Sequence, residues 1–164
     1  MDPQTQSALE TTVNILAEME QDEAERRLPP TGSWPSVLHS WERRESMPEW
    51  HALYTCRVYN CRFTISAERE FTVFAEVTTE PVRKADGRLR MECIIAGQIL
   101  RLAGVTKEAF GTSTDKDLML EAALDQCKVT PLRIRGKRSQ TEGEPLNGQP
   151  RRKPKWWINE ITKG

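Results

Sequence analysis

The sequence lacks any apolar run that approaches the roughly 20 residues of a membrane-spanning helix. It also lacks the basic start and apolar stretch of a secretory signal peptide, because its first residues read MDPQTQSALE. We therefore expect a cytoplasmic protein that makes no contact with a membrane.

Catalytic motifs are missing as well. The sequence contains no GxSxG motif, no Walker-type phosphate loop and no HExxH motif. Its two histidines, His39 and His51, lie in loop-like positions, where they offer little general-base chemistry. We therefore expect a protein that is not an enzyme.

The cysteines do not have the spacing of a metal site. Cys56 and Cys61 are five residues apart in a strand-like run, so their side chains face opposite sides of the strand. This spacing suits neither a zinc site nor a disulfide, and the two histidines add no ligand spacing. The sequence predicts no metal, no cofactor and reduced thiols at Cys56, Cys61, Cys93 and Cys127.

Acidic and basic residues balance in number but not in position. The chain has 24 of each sign. Residues 1–30 carry seven acidic residues against Arg26 and Arg27, whereas residues 128–164 carry ten basic residues against three acidic ones. Such asymmetry indicates a C-terminal region that faces a polyanion and an acidic segment elsewhere. The alternative interpretation is two solvated surfaces of opposite sign.

The acidic segment has the pattern of an amphipathic helix over residues 6–27. Its apolar residues recur at three- and four-residue spacing, at Leu9, Val13, Leu16 and Met19. Pro29 and Pro30 end the helix, because proline cannot continue it. The sequence therefore predicts an acidic helical appendage at 1–28 and one folded domain at 29–164.

Three strands are predicted at the start of that domain, over residues 33–41, 51–66 and 70–81. In the second strand, Tyr59, Cys61, Phe63 and Ile65 share one face. In the third, the apolar face holds Phe71, Val73, Ala75 and Val77. This alternation is typical of half-buried antiparallel strands. Phe74 is an apolar ring on the polar face of the third strand, which indicates that the ring has a functional role at the surface.

Helices and then strands follow. The pattern predicts helices over 90–104, with Gly104 at the C-cap, and over 115–127, with Thr114 or Asp115 at the N-cap. Residues 105–114 between them are predicted to be a connector. Two final strands are predicted over 128–138 and 155–161, separated by a Gly-, Pro- and polar-rich loop.

This order predicts a mainly β fold with helices. Three antiparallel strands, a helical insertion and two further strands is the order of a five-stranded OB-fold barrel with a helix between strands three and four. Closing such a barrel hides the strand edges that would otherwise be exposed. The N-terminal amphipathic helix is an addition to this architecture.

Several short motifs carry a resemblance to a known family. They are LPPTGSW at 28–34, AGQILRLAGV at 96–105, PLRIRGKR at 131–138 and INEI at 158–161. In this order they resemble a family of small phage-encoded OB-fold proteins that bind single-stranded DNA. The resemblance implies a DNA-binding protein of phage recombination or replication, located in the host cytoplasm. The acidic helix and the long basic loop before residue 156 depart from that pattern.

An OB-fold that binds single strands needs a cationic groove and exposed aromatic rings on which bases stack. The chain supplies alternating cations in its fourth strand and a basic loop that ends in two adjacent tryptophans. The predicted nucleic-acid-binding residues are Arg57, Tyr59, Phe74, Arg133, Arg135, Lys137, Arg138, Arg151, Arg152, Lys153, Lys155, Trp156 and Trp157.

Some alternatives stay open. Trp156 and Trp157 face opposite sides of a strand, so one is a candidate stacking platform, unless both are buried. The acidic helix either competes with DNA for the groove, packs on the barrel, or contacts a protein partner or a second copy. Other functional classes are an OB-type protein-binding module, such as an inhibitor of a host factor, and a double-stranded RNA-binding protein.

Overall fold

The computed structural model describes residues 15–20, 22–51, 55–139 and 154–164. Residues 15–20 and 22–26 are helical and are together called α1. The part of the predicted N-terminal helix before residue 15 lies outside the described residues. The remaining elements are β1 Gly32–Arg43, a 3₁₀ turn Glu49–His51, β2 Val58–Ser66, β3 Glu70–Thr78, α2 Met91–Leu102, α3 Lys107–Thr112, α4 Lys116–Cys127, β4 Leu132–Arg138 and β5 Trp156–Lys163.

The five strands form one antiparallel sheet in the order β3-β2-β1-β4-β5, curled into a half-barrel. Each neighbouring pair is antiparallel, so β3 and β5 at the two edges run parallel to each other. The predicted mainly β architecture with helices is confirmed. In chain order α2, α3 and α4 all lie between β3 and β4.

The core lies between the concave face of the sheet and two helices. The predicted inward face of β2 is confirmed, because Tyr59, Cys61, Phe63 and Ile65 are fully buried. On β3, Phe71, Val73 and Val77 are buried, and Ala75 is half-buried. Helices α2 and α4 cover this face with Ile95, Ile99, Leu120 and Leu124.

The glycine predicted to stop α2 and the N-cap predicted for α4 are confirmed, although the C-cap of α2 is Ala103 and Gly104 follows it. After α2, Gly104 has a φ of +78°, and its N–H donates to the Arg101 carbonyl at 3.0 Å. The Val105 N–H donates to the Leu100 carbonyl at 3.0 Å, which completes a Schellman motif. At the start of α4, Asp115 is the N-cap, and its Oδ1 accepts from the Leu118 N–H at 2.9 Å.

Several predicted boundaries were wrong. Strand β3 ends at Thr78 rather than at 81, β4 begins at Leu132 rather than at 128, and β5 continues to Lys163 rather than ending at 161. The connector at 105–114 contains the short helix α3, which Thr106 caps by accepting the Ala109 N–H at 3.1 Å. The first strand continues to Arg43, because Glu42 and Arg43 pair with the start of β2. The second strand begins at Val58 rather than at 51, since residues 49–51 form the 3₁₀ turn.

Strand β5 lies at one edge of the sheet, and helix α2 covers part of that edge. The Gln98 Oε1 of α2 accepts the backbone N–H of Ile161 at 2.8 Å. The ladder between β4 and β5 is irregular just before this point, at Arg135 and Gly136. Beyond the irregularity, Trp156, Trp157 and Ile158 border open space. Helix α2 therefore covers the edge of β5 in its second half, and the first half of β5 lines a groove.

Candidate functional site

A groove separates the two edge strands of the half-barrel. It has a volume of about 470 Å³, with β3 on one side, the start of β5 on the other and the first turns of α2 between them. Its lining residues are Leu28, Thr72, Val73, Phe74, Ala75, Glu76, Met91, Glu92, Ile95, Pro154, Lys155, Trp156, Trp157 and Ile158. The described chain therefore presents a cleft at the gap between the first and last strands of the sheet order.

The two adjacent tryptophans occupy opposite environments. Trp156 is 8% exposed and Trp157 is 55% exposed. The Trp156 ring lies directly over Gly136, where an added Cβ would be 2.2 Å from the ring carbon Cη2. Its Nε1 also donates to the Pro30 carbonyl at 3.3 Å. Because Trp156 is held inward, strand alternation turns Trp157 outward.

An exposed aromatic ring stands on each side of the groove, and each ring has a cation beside it. Phe74 on β3 is 70% exposed, and the Arg62 guanidinium lies 6.0 Å from its ring centroid. Trp157 on β5 has the Lys155 ammonium 5.5 Å from its ring centroid. These distances are within the range of cation–π attraction. Each edge of the groove thus offers a flat apolar face with positive charge next to it.

The cations of β4 are exposed but differ in their partners. Arg133 donates to the Ser33 carbonyl at 2.8 Å, and Arg135 lies 3.5 Å from the Glu160 carboxylate. Lys137 is directly opposite Trp157 in the β4–β5 register. Lys137 therefore lies beside Trp157, although it does not itself line the groove, whereas Arg133 and Arg135 are engaged by neighbouring strands.

Charge at the groove is unevenly compensated. The carboxylate of Glu76 is paired with Arg44 at 2.7 Å, and that of Glu92 is paired with Arg90 at 3.2 Å. By contrast, the cations Arg62, Lys137 and Lys155 form no ion pair with any residue that the structure describes. The groove therefore carries uncompensated positive charge beside its two exposed rings.

Other predicted site residues lie away from the groove. Tyr59 is fully buried, and its hydroxyl donates to Glu121 at 2.8 Å, so its ring is not available for stacking. Burial, together with this bond to Glu121, raises the pKa of Tyr59. Arg57 precedes β2, where its backbone N–H donates to Asp117 at 3.1 Å.

Arg138 has a structural contact instead. Its Nη2 donates to the Leu28 carbonyl at 2.6 Å, and its backbone N–H donates to Thr31 Oγ1 at 3.0 Å. These bonds hold the segment that joins α1 to β1 against β4. Arg151, Arg152 and Lys153 lie outside the described residues.

Arg62 lies beside the exposed ring of Phe74 but is not among the predicted nucleic-acid-binding residues. Arg62 is exposed on β2 and lies directly opposite Phe74 in the β2–β3 register. The alternation of β2 indicates an outward Arg62, but its pairing with Phe74 depends on a register that the sequence does not specify.

The cysteines are buried or half-buried, and all four lie among the described residues as free thiols. Burial raises the pKa of Cys61 to about 12 and, with smaller contributions from neighbouring groups, that of Cys56 to about 11. Both thiols are therefore protonated at neutral pH, so neither is an activated nucleophile.

No known protein family, curated protein or solved structure matches this chain. Across the described ranges, none of the helices combines the length and the apolar character needed to cross a membrane.

Proposed function

We propose that this protein binds single-stranded DNA in the groove between β3 and β5. Phe74 and Trp157 carry the proposal, because each is an exposed ring with a cation beside it on one side of the same cleft. Bases stack on the two rings, and the phosphates lie against Arg62, Lys137 and Lys155. Binding is stoichiometric and tolerant of sequence, because every base has a π-face.

We further propose that the architecture is an OB-fold. The order β3-β2-β1-β4-β5 supports this assignment, since an OB barrel also places its first strand between the second and the fourth. The helices between β3 and β4 support it as well. The groove then lies at the seam where β3 and β5 of a barrel approach each other. We also propose that the protein acts in phage recombination or replication, and this part of the proposal depends on the sequence resemblance alone.

Substitution of Trp157 tests the stacking role. Stacking of a base on an aromatic ring contributes about 1–3 kcal/mol, so Trp157→Ala is expected to weaken binding of labelled oligo(dT) by about 5- to 150-fold. Trp157→Phe should retain most of the affinity, because a ring remains. The control is Leu118→Ala, another exposed apolar side chain that lies on α4 outside the groove. Fluorescence anisotropy at low salt measures each affinity.

Salt dependence tests the role of the cations. The slope of log affinity against log salt is about −0.7 for each phosphate contact with a single strand, so each lost contact makes the slope less steep by about 0.7. Lys137→Ala and Lys155→Ala are each expected to show this change, whereas Lys107→Ala on α3 is expected to keep the wild-type slope. Absence of oligo(dT) binding by the wild-type protein at low salt would refute the proposed function.

A further inference from the structure

The groove is bounded by the edges of two strands rather than by their faces. Residues 72–76 of β3 all line it, and so do residues 154–158, which lead into β5. Neighbouring side chains of a strand point to opposite faces, so a cavity that meets consecutive residues lies against the edge of the strand. Within the described chain, β3 pairs only with β2, and β5 pairs only with β4. Both sides of the groove therefore present backbone to which a further strand can bond.

The directions of the two edges allow one strand to pair with both. Because every pairing in the order β3-β2-β1-β4-β5 is antiparallel, β3 and β5 run in the same direction. A strand placed between them can therefore run antiparallel to each. Such a strand would continue the antiparallel sheet across the gap and cover both edges, which closes the half-barrel.

The two edges also agree on which face is apolar. Val73 on β3 and Ile158 on β5 are buried on the inner side, where Ile95 of α2 also lines the groove. Phe74 and Trp157, the next residue before or after each of them in sequence, are exposed on the outer side. An inserted strand therefore has to place apolar side chains inward at every second position, with polar side chains between them.

Charge favours acidic residues at the outward positions. Arg62 lies beside Phe74 and Lys155 lies beside Trp157, and neither cation is in an ion pair with a carboxylate of the described ranges. The acids that line the groove, Glu76 and Glu92, are already paired with arginines. Outward carboxylates on an inserted strand would therefore meet cations on both sides.

The available length is short. The groove-lining residues 72–76 of β3 span about 17 Å at about 3.4 Å per residue. On the other side, the Gln98 side chain accepts the Ile161 N–H at 2.8 Å and so occupies the edge of β5 beyond the groove. The groove thus has room for one short extended segment.

We propose that the groove binds an extended segment of a partner protein, in which apolar and acidic residues alternate. The segment inserts between β3 and β5 as an additional strand that is antiparallel to both. This inference goes beyond the proposed function. Because Trp157, Arg62 and Lys155 serve both ligands, the segment and a DNA single strand exclude each other from the groove.

A synthetic peptide in which valine and glutamate alternate tests the pattern. Fluorescence anisotropy of the labelled peptide measures its binding to the full-length wild-type protein. The control peptide has the same residues in two blocks, which keeps its charge and composition. We expect the alternating peptide to bind at least about tenfold more tightly, because only alternation places every valine on one face. Equal affinities, or no binding of the alternating peptide, would overturn the inference.

Methylation of the peptide amides tests insertion between two edges. Alternate residues of a strand direct their N–H groups to opposite neighbours. One analogue is N-methylated at its valines and another at its glutamates, so each loses its donors toward one edge. We expect each analogue to bind about tenfold more weakly than the unmodified peptide, because several hydrogen bonds are lost. Full affinity of either analogue would show that the peptide uses one edge only, and insertion would be wrong.

A charge reversal at the groove locates the bound peptide. We expect Lys155→Glu to weaken binding of the alternating peptide several-fold, because an outward glutamate then meets a like charge. The matched control is Lys107→Glu, at an exposed lysine on α3, which should leave the affinity unchanged. Equal affinity of Lys155→Glu and the wild type would place the peptide elsewhere and refute the inference.

Competition with oligo(dT) separates this inference from the proposed function. We expect unlabelled oligo(dT) to displace the labelled peptide from the wild-type protein. Simultaneous binding of both ligands would contradict a shared groove. Binding of the peptide without any binding of oligo(dT) at low salt would refute the proposed function and support the inserted strand. Binding of oligo(dT) without binding of the peptide would do the reverse.

Discussion

Two parts of the sheet carry aromatic rings beside charged groups, but they differ in how those groups are paired. Where α4 docks, Trp41 Nε1 donates to Asp125 Oδ1 at 2.8 Å. The Tyr59 hydroxyl and the Arg43 guanidinium both donate to Glu121, at 2.8 and 2.5 Å. At the groove, by contrast, the ring of Trp157 lies in solvent beside a lysine that has no carboxylate partner among the described residues.

This contrast separates polar groups that stabilise the fold from those available to a ligand. Glu121 is enclosed by its two donors, and its side chain is 13% exposed, so its bonds contribute to the docking of α4. The cations Lys155 and Lys137 are exposed, and their removal leaves no buried group without a partner. We therefore expect substitutions at α4 to change stability and substitutions at the groove to change binding.

The largest expected effect is that of Gly136→Val. A side chain at this position would overlap the ring of Trp156, which is enclosed in the core, so the ring must move. Overpacking of this kind costs about 3 kcal/mol, and we expect the free energy of unfolding to fall by that amount. Chemical denaturation measures the change.

Gly97→Ala is the matched control for this variant. Gly97 lies within α2, and an added Cβ would meet nothing within 4 Å. Because alanine is a better helix former than glycine, we expect Gly97→Ala to stabilise the protein by about 0.5–1 kcal/mol. Equal stability of Gly136→Val and the wild type would contradict the role of Gly136 in holding Trp156.

A smaller loss is expected from Glu121→Ala. The variant leaves the buried hydroxyl of Tyr59 without its acceptor, which costs about 2 kcal/mol. Lys155→Ala, at the groove, should change the free energy of unfolding by less than about 0.5 kcal/mol. Urea denaturation of both variants measures the two losses of unfolding free energy. Equal losses would contradict the distinction between a residue that stabilises the fold and one that is available to a ligand.

The smallest effect is a dependence of stability on pH that arises from His51. Burial lowers the pKa of His51 below its ordinary value of 6.5, and the negative charge of Glu80 opposes this shift without cancelling it. The folded state then binds fewer protons than the unfolded state, so the free energy of unfolding falls as the pH decreases from 7.5 through 6.5. One such group limits the slope to about 1.4 kcal/mol per pH unit.

His51→Gln is expected to flatten this dependence. The glutamine amide can still bond to Thr78, whose Oγ1 lies 3.0 Å from His51 Nε2. Denaturation curves between pH 5.5 and 7.5 compare this variant with His39→Gln, in which an exposed histidine is replaced. If the free energy of unfolding changes with pH equally in the wild type, His51→Gln and His39→Gln, then a group other than His51 controls the pH dependence.

Much of the fold was predictable because its elements depend on local patterns. The alternation in β2 and β3 depends on neighbouring residues, and the end of α2 at Gly104 depends on the conformational freedom of glycine. Helix α3 was not predicted, since it is short and contains Gly111, which disfavours a helix.

The candidate site was predictable in composition but not in geometry. The sequence predicts that Trp156 and Trp157 face opposite sides of a strand, but which of them is exposed depends on Gly136, which lies on a different strand. The position of Phe74 across a groove from Trp157 depends on the curl of the whole sheet. Such relations arise from long-range packing, which residue spacing does not encode.

The bond between Gln98 and the edge of β5 affects how the molecules behave toward one another. A row of backbone N–H groups at a sheet edge can template a strand from another copy, and such pairing leads to aggregation. Gln98 occupies the N–H of Ile161 at that edge. One side chain of α2 thus hinders β5 from extending its sheet into a neighbouring molecule, and favours dispersed molecules in concentrated solution.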